Sequence, residues 1–360
     1  MNILGIESSC DETAAAVVRD GRYILSNVIA TQIPFHEAYK GVVPEIASRK
    51  HTEWILPVVK QALDEAGLTM DGIDGIAAVS RPGLMGSLLV GLTFAKTLAW
   101  AAGKPFIAVN HMLGHLYAAH LEERDSPATR IPEYPYLGLL VSGGHSIICR
   151  VSDFDDIEVL GATIDDAAGE AFDKVAKFYN LGYPGGVVID RLAKNGDPRA
   201  ASFPMPSLHK GKNTGDGDVH RGDTHRYDVS YSGLKTAAIN QLDQFWNPEY
   251  ERTPENLAAA FQETAVKILV SRLLRAAEDT GLTTIVAGGG VAANSRLRAM
   301  LAEHRELNCI FPPLRLCTDN GAMIAGVGFR HLERGDTSPW TETASARVTS
   351  FKRGLSRKNR

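Results

Sequence analysis

The chain has 360 residues, 44% of them apolar and 22% charged, with a formal net charge of −4 at pH 7. That length can bury a large core and points to two lobes, and the composition is ordinary for a soluble globular protein. The acidic balance argues against a chain that grips nucleic acid by its own basic surface, and the four cysteines form no C-x-x-C pair, so neither a zinc ribbon nor a disulfide framework is indicated.

The N-terminus does not read as a signal peptide, because acids arrive early in MNILGIESSCDE. The longest apolar run, Leu84 to Val109, is broken by Lys96, Lys104 and Pro105, so no membrane span is expected. A cytoplasmic protein with reduced thiols is the simplest expectation.

In chain order, Ile3 to Ile6, Thr13 to Val18 and Tyr23 to Ala30 read as strands, with Asp20-Gly21 as a hairpin signal. Pro44 to Gly67 has helical spacing and a glycine stop. Gly75 to Ser80 is a strand, Leu84 to Ala102 a helix, Pro105 to Val109 a strand and His111 to Leu121 a helix. A second round opens with strands over Leu137 to Val141, Ser146 to Val151 and Ile157 to Leu160, then a helix from Asp165 to Tyr179. Residues 205–229, rich in Gly and Asp, read as a long surface loop. Pro254 to Thr280 is a long helix, followed by a strand (Thr284 to Ala287), a helix (Ala292 to Arg305), a strand (Cys309 to Phe311) and a helix (Asn320 to Arg334). Two rounds of three strands followed by alternating helix and strand predict two related α/β lobes facing a cleft. Little order is expected beyond about Gly335. There Lys352, Arg353, Arg357, Lys358 and Arg360 form a basic tail, either a solubilising end or an arm for phosphates.

His111 and His115 are spaced i, i+4, which puts both imidazoles on one helical face within reach of one metal ion. Eleven histidines in 360 positions give about a third of one such pair by chance, so a structural pair is an open alternative. The metalloprotease pattern needs Glu directly after the first His, and Met112 stands there. Asp319, at a strand-to-helix turn, is the candidate third ligand, with a helix N-cap as its alternative role. Two imidazoles and a carboxylate leave coordination positions open, as a substrate-holding ion requires.

Leu140 to Gly144 ends a strand in a turn whose amides can surround an anion, or is a plain hairpin turn. Gly288-Gly289-Gly290 lets a flat base lie on the backbone, with Asn294 offering an amide to its edge, or is a packing turn. Asp165 and Asp166 suit a helix N-terminus, whereas Asp173 is too deep in the helix for that role. Pro184-Gly185-Gly186 followed by Asp190 suits the hydroxyls of a ribose, or leaves Asp190 solvated. Glu7 to Thr13 reads as a polar hairpin between two strands, placed to hold phosphates or reacting groups, or is simply an exposed turn.

The strings GIESSCDET, GGVVPEIASRKH, RPGLMGSLLVG, HMLGH, LVSGGH, IDDAAGEAFDKVAK, PGG, SYSGLKTA, GGGVAAN and TDNGAMIA follow one another in this order. In them the chain resembles the tRNA N6-adenosine threonylcarbamoyltransferase family (TsaD in bacteria, formerly described as O-sialoglycoprotein endopeptidases), from residue 1 to about 330. The resemblance implies a two-lobed actin-like, sugar-kinase-type (ASKHA) fold of duplicated RNase H-like domains. The N-terminal lobe would be 1–130 completed by 319–334, the C-terminal lobe 131–318, and 335–360 a flexible basic tail. It implies that His111, His115 and Asp319 bind one divalent ion, Fe2+ first and Zn2+ as the alternative. Leu140, Val141, Ser142, Gly143, Gly144, Asp173, Gly186, Asp190 and Asn294 match the family's substrate-binding positions.

The implied reaction moves a threonylcarbamoyl group from threonylcarbamoyl-adenylate to N6 of adenosine 37 in tRNAs reading codons that start with A, releasing AMP. Asp11 and Glu12 are the candidates to accept the N6 proton, although an activated anhydride needs no strong base. Implied partners are tRNA, a shorter paralogous subunit and a P-loop ATPase, with no membrane. Rival readings are a small-metabolite kinase of the same fold, a non-catalytic nucleotide-binding scaffold and, last, a metalloprotease.

Overall fold

The structure, a computed structural model, describes residues 1–123, 130–206, 225–347 and 352–353, the last pair by backbone alone. Two compact units divide the chain: Met1–Glu133 with Phe311–Ser350, and Tyr134–Ile310 with Phe351–Arg360.

In the first unit β1 (Asn2–Glu7), β2 (Glu12–Arg19) and β3 (Tyr23–Thr31) form an antiparallel meander. β4 (Gly75–Arg81) and β5 (Phe106–Asn110) continue it parallel to β1, and the short β6 (Glu122–Glu123) lies parallel to β3. The strand order is β5-β4-β1-β2-β3-β6. Its helices are α1 (Ile33–His36), α2 (Pro44–Ala66), α3 (Met85–Ala102), α4 (His111–Tyr117), and the returning α11 (Leu314–Cys317) and α12 (Gly321–Glu333).

The period of two in β1 decides which helix covers which face. Leu4 and Ile6 join Ile55, Val58 and Val59 of α2 and Leu92, Ala95 and Ala99 of α3 in one apolar core. Gly5 points the other way, to α12. A Cβ on Gly5 would lie 2.3 Å from the Gly321 carbonyl oxygen, and one on Gly321 would lie 2.6 Å from the backbone of Ala15 and Ala16. Small residues thus let α12 rest directly on the sheet backbone, which carries Asp319, two residues before it, to the end of β1. α3 is long and apolar enough to cross a membrane by length and composition alone. Here its Leu88, Leu92, Ala95 and Ala99 side is buried against the sheet and α2.

The second unit repeats the plan. β7 (Tyr136–Val141), β8 (Ser146–Asp153) and β9 (Asp156–Ala162) are antiparallel, β10 (Thr284–Gly288) and β11 (Asn308–Ile310) extend the sheet parallel to β7, and β12 (Lys352–Arg353) lies parallel to β9. The order β11-β10-β7-β8-β9-β12 matches the first sheet strand for strand. Its helices are α5 (Ala168–Phe178), α6 (Gly185–Ala193), α7 (Ser232–Asn240), α8 (Leu242–Phe245), α9 (Pro254–Thr280) and α10 (Ser295–Ala302). Phe172 of α5 meets Phe261 of α9 edge to face, with ring centroids 5.3 Å apart.

Several expectations need correction. The helix expected from Asp165 starts at Ala168, because Asp165 and Asp166 are engaged elsewhere. Asp165 accepts the amides of Tyr231 (2.8 Å) and Ser232 (3.3 Å) at the start of α7, and Asp166 pairs with Lys174 and Lys235. The helix expected over Ala292 to Arg305 is a 3-10 turn, Gly290–Ala293, followed by α10, and the helix from His111 ends its α-form at Tyr117. Most of the expected loop, 207–224, lies outside the described residues. Its end is anchored, since the buried Asp228 accepts the Ala162 amide at 2.8 Å.

Residues 336–347 are ordered, contrary to expectation, because they cover the free edge of β5. The Ser338 amide donates to the Phe106 carbonyl (2.8 Å), Trp340 stacks on Phe106, and Lys96 Nζ holds the carbonyls of Trp340 (3.0 Å) and Glu342 (2.9 Å). Of the basic tail, Lys352 and Arg353 are paired as β12, and Arg357, Lys358 and Arg360 lie outside the described residues.

His120, just after α4, stacks on Tyr117, and burial with nearby Arg330 lowers its pKa to about 4. A lowered folded-state value stabilises the fold above the unfolded pKa of about 6.5, and that stability is lost as pH falls from there towards 4. His120→Phe should make urea-unfolding stability less steep between pH 6.5 and 4, where His120 itself accounts for a loss of up to about 3 kcal/mol. An unchanged pH slope in the variant would contradict this.

Candidate functional site

The loop after β1 and the start of α4 meet at one end of the first sheet. Asn110 caps α4 by accepting the Met112 amide at 3.0 Å, so the helix begins at His111 and both histidines fall on one side. Their rings sit 4.5 Å apart, nearly perpendicular. Asp319 Oδ1 lies 3.4 Å from His111 Nε2 and 3.2 Å from His115 Nε2. Asp319 is not the N-cap of α12. Asn320 takes that role, accepting the Met323 amide at 3.0 Å, which leaves the Asp319 carboxylate free to face the histidines. Among the described residues this is the one group of three His, Cys, Asp or Glu side chains able to share a cation, with ligand atoms within 4.8 Å of one another.

The donor set fits a divalent ion of the transition series: two imidazole nitrogens and one carboxylate, with positions left open. One observation tests that fit. His115 is 2% exposed, yet neither ring nitrogen has a properly aligned hydrogen-bond partner. A buried polar atom left so is costly unless something else coordinates it.

The charges agree. Burial alone would lower the basicity of His111, but the Asp319 and Glu7 carboxylates overcome it and raise its pKa to about 9. Burial, with His111 alongside, holds His115 below the usual histidine range. Burial would raise Asp319, but the two imidazoles and the Ser9 hydroxyl bring it down to about 2. The site therefore keeps an anionic oxygen beside two ring nitrogens across the neutral range.

Glu7 and Ser9, which the sequence offered as parts of a polar hairpin without naming a partner, belong to this cluster. Glu7 Oε2 is 3.0 Å from His111 Nδ1, and Glu7 Oε1 accepts the Ser9 amide at 2.5 Å. The signal was a carboxylate ending an otherwise apolar strand, Ile3-Leu4-Gly5-Ile6. Of the two proton-acceptor candidates, Glu12 has its carboxyl pushed up to about 10, by burial first and then by the neighbouring Asp11 and Asp319.

In the second unit the glycine turns sit at strand ends. Ser142 closes the β7–β8 turn, with its amide donating to the His145 carbonyl (2.8 Å) and its Oγ accepting the His145 amide (3.2 Å). Gly143 and Gly144 are exposed, with no atom within 4 Å of where a Cβ would stand. Leu140 and Val141 are buried in β7, so only their backbone can touch a ligand. Gly289, at φ +92°, brings its Cα against the Val141 carbonyl, where a Cβ would be only 2.3 Å away. The third turn is held by Asp173, which accepts the Gly185 amide at 2.7 Å, and Gly186 beside it is open.

Two polar residues are already engaged. Asp190 Oδ1 accepts Gln262 Nε2 (3.0 Å), the Ser295 amide (3.0 Å) and Ser295 Oγ (2.8 Å), which ties α6, α9 and α10 together. Asn294 is the N-cap of α10, accepting the Leu297 amide at 3.0 Å. Neither role was legible locally, because each depends on where α10 starts.

The family model for tRNA N6-adenosine threonylcarbamoyltransferase matches residues 23–326. A relative of that name from Treponema denticola is 73% identical over 351 residues, covering 98% of each chain. Among solved structures, full-length HypF in its phosphate- and nucleotide-bound form is similar with a TM-score of 0.59 at 12% identity, covering 92% of this chain and 46% of that one. The (R)-2-hydroxyglutaryl-CoA dehydratase component A of Acidaminococcus fermentans gives 0.51 at 14% identity, covering 92% and 99%. At such identities the likeness establishes the fold, an α/β actin-like, sugar-kinase-type architecture with two sheets of one plan. The sequence matches establish more: the chain belongs to the tRNA N6-adenosine threonylcarbamoyltransferase family.

Proposed function

We propose that, as a member of this family, the chain transfers the threonylcarbamoyl group of threonylcarbamoyl-adenylate to N6 of adenosine 37 in tRNAs reading codons that start with A. The exocyclic nitrogen attacks the carbamoyl carbon, a C–N bond forms, the C–O bond to phosphate breaks, and AMP leaves with the electron pair. N6 gives up one proton, for which Asp11 and Glu12 are the candidate acceptors, with solvent or the AMP phosphate as alternatives.

His111, His115 and Asp319 hold one divalent ion in this reading, Fe2+ first and Zn2+ as the alternative. When bound, it supplies Lewis-acid stabilisation of charge on the carbonyl or phosphate oxygens. The buried nitrogens of His115, neither of them in an aligned hydrogen bond, are the observation that supports this reading most. The amides of Ser142 to Gly144 hold the phosphate, as exposed backbone N–H groups do for anions. The Gly288 to Gly290 turn and Asn294 hold adenine, and Asp173 and Gly186 shape the wall beside it. Asp190 meets the ribose with Oδ2, its Oδ1 being bound within the fold. These contacts orient the two reactants, which supplies much of the acceleration an acyl transfer needs.

The finer assignments follow from the same reading: residues 1–130 with 319–334 as the N-terminal lobe and 131–318 as the C-terminal lobe, a cytoplasmic location with tRNA, and partnership with a shorter paralogue and a P-loop ATPase. The test is to incubate the chain and these partners with threonylcarbamoyl-adenylate and unmodified tRNA, and to look for N6-threonylcarbamoyladenosine by mass spectrometry. Absence of product in a metal-loaded preparation would refute the reading. Gly144→Ala should leave thermal stability within about 0.5 kcal/mol, since the added methyl meets nothing. It should nevertheless lower kcat/KM for the adenylate about tenfold or more by crowding the phosphate amides; an unchanged kcat/KM would remove this turn from the site.

A further inference from the structure

Glu7 is fully buried at the end of β1, and each of its oxygens faces a nitrogen. Oε1 accepts the Ser9 amide at 2.5 Å, and Oε2 lies 3.0 Å from His111 Nδ1. Ser9 Oγ lies 3.2 Å from the same ring nitrogen. A carboxylate can only accept, so the hydrogen in the Glu7–His111 contact belongs to Nδ1. Nε2, the atom that faces Asp319, is then the nitrogen that gives up its proton to a metal and offers the lone pair. We propose that Glu7 is a positioning residue: by accepting from Nδ1 it fixes the ring orientation and the Nδ1–H form of His111, so that Nε2 is presented to the metal. This inference rests on the metal reading above and adds to it the residue that makes His111 a competent ligand. Carboxylates behind metal-bound imidazoles do this elsewhere, and their loss costs about 10- to 100-fold in metal affinity.

The variant Glu7→Gln tests the idea because it keeps the shape and changes one atom's chemistry. A glutamine offers one acceptor and one donor where the site presents two donors, the Ser9 amide and the His111 Nδ1–H. If its oxygen stays with the Ser9 amide, its NH2 faces Nδ1, which must then carry the lone pair and move the hydrogen to Nε2.

Zinc(II) affinity, measured by chelator competition, is therefore expected to fall about 10- to 100-fold in Glu7→Gln. In zinc-loaded wild type labelled with [15N]histidine, His111 is expected to show a protonated Nδ1 and a metal-bound Nε2. Zinc bound through Nδ1 would overturn the proposal even if the variant failed to fold. So would a folded Glu7→Gln with wild-type zinc affinity. A His111→Ala control separates the two levels: if it too binds zinc like wild type, the metal reading fails. If it loses zinc while Glu7→Gln keeps it, only the role of Glu7 fails.

Discussion

His115→Ala is expected to lose metal and product together, by at least about 1,000-fold in kcat/KM, while the metal-free protein stays folded. Removing one of three ligands takes away stabilisation of the reacting oxygens, an effect of several kcal/mol, and about 4 kcal/mol corresponds to the stated factor. The second half of the expectation is the diagnostic one. Truncating a buried side chain normally costs a few kcal/mol through the cavity it leaves. His115, however, is buried with neither ring nitrogen in an aligned hydrogen bond, and deleting a poorly satisfied buried polar group recovers up to about 1–3 kcal/mol. The two effects oppose each other, so the metal-free melting temperature should change by only a few degrees. Metal content, product yield and metal-free melting should be measured on one preparation. A large loss of metal-free stability with metal retained would mean that His115 is a core residue rather than a ligand.

Gly321→Val is expected to unfold or severely destabilise the first unit, by about 3 kcal/mol or more. A Cβ there would stand 2.6 Å from the backbone of Ala15 and Ala16, and on the facing side a Cβ on Gly5 would stand 2.3 Å from the Gly321 carbonyl oxygen. Backbone lies on both sides of the contact, so no rotamer change relieves the clash. The helix must lift, and Asp319, two residues ahead of it, moves with it. The variant should therefore lose metal affinity as well as stability in urea unfolding followed at fixed metal concentration. A Gly321→Val protein with wild-type stability would show that α12 does not rest on β1 and β2 as described.

These two cases also show what could be read from the residues alone. The ends of α2 and α9 were legible because their signals are local: Pro44 and Pro254 at the first helical turn, Gly67 and Gly281 in left-handed conformation at the last. The His111 and His115 spacing was legible for the same reason, as a consequence of helical pitch. Asp319 was ambiguous between ligand and cap, because the choice depends on Asn320 taking the cap. Asp165 and Asp166 looked like the first turn of a helix, yet the partners of Asp165 and, besides the nearby Lys174, that of Asp166 are about 65 residues or more away at α7. Glu7 was visible as part of a hairpin fit for reacting groups, but not as a partner of His111, which comes 104 residues later. The ordered segment after Gly335 was missed because its support is the edge of β5, which no local pattern announces.

The most direct measurement is anomalous diffraction from crystals of the metal-loaded protein, collected at the absorption edge of the loaded metal. The account predicts one strong peak about 2.0–2.2 Å from His111 Nε2, His115 Nε2 and an oxygen of Asp319. A loaded, active protein whose anomalous peak lies away from these three atoms would contradict it.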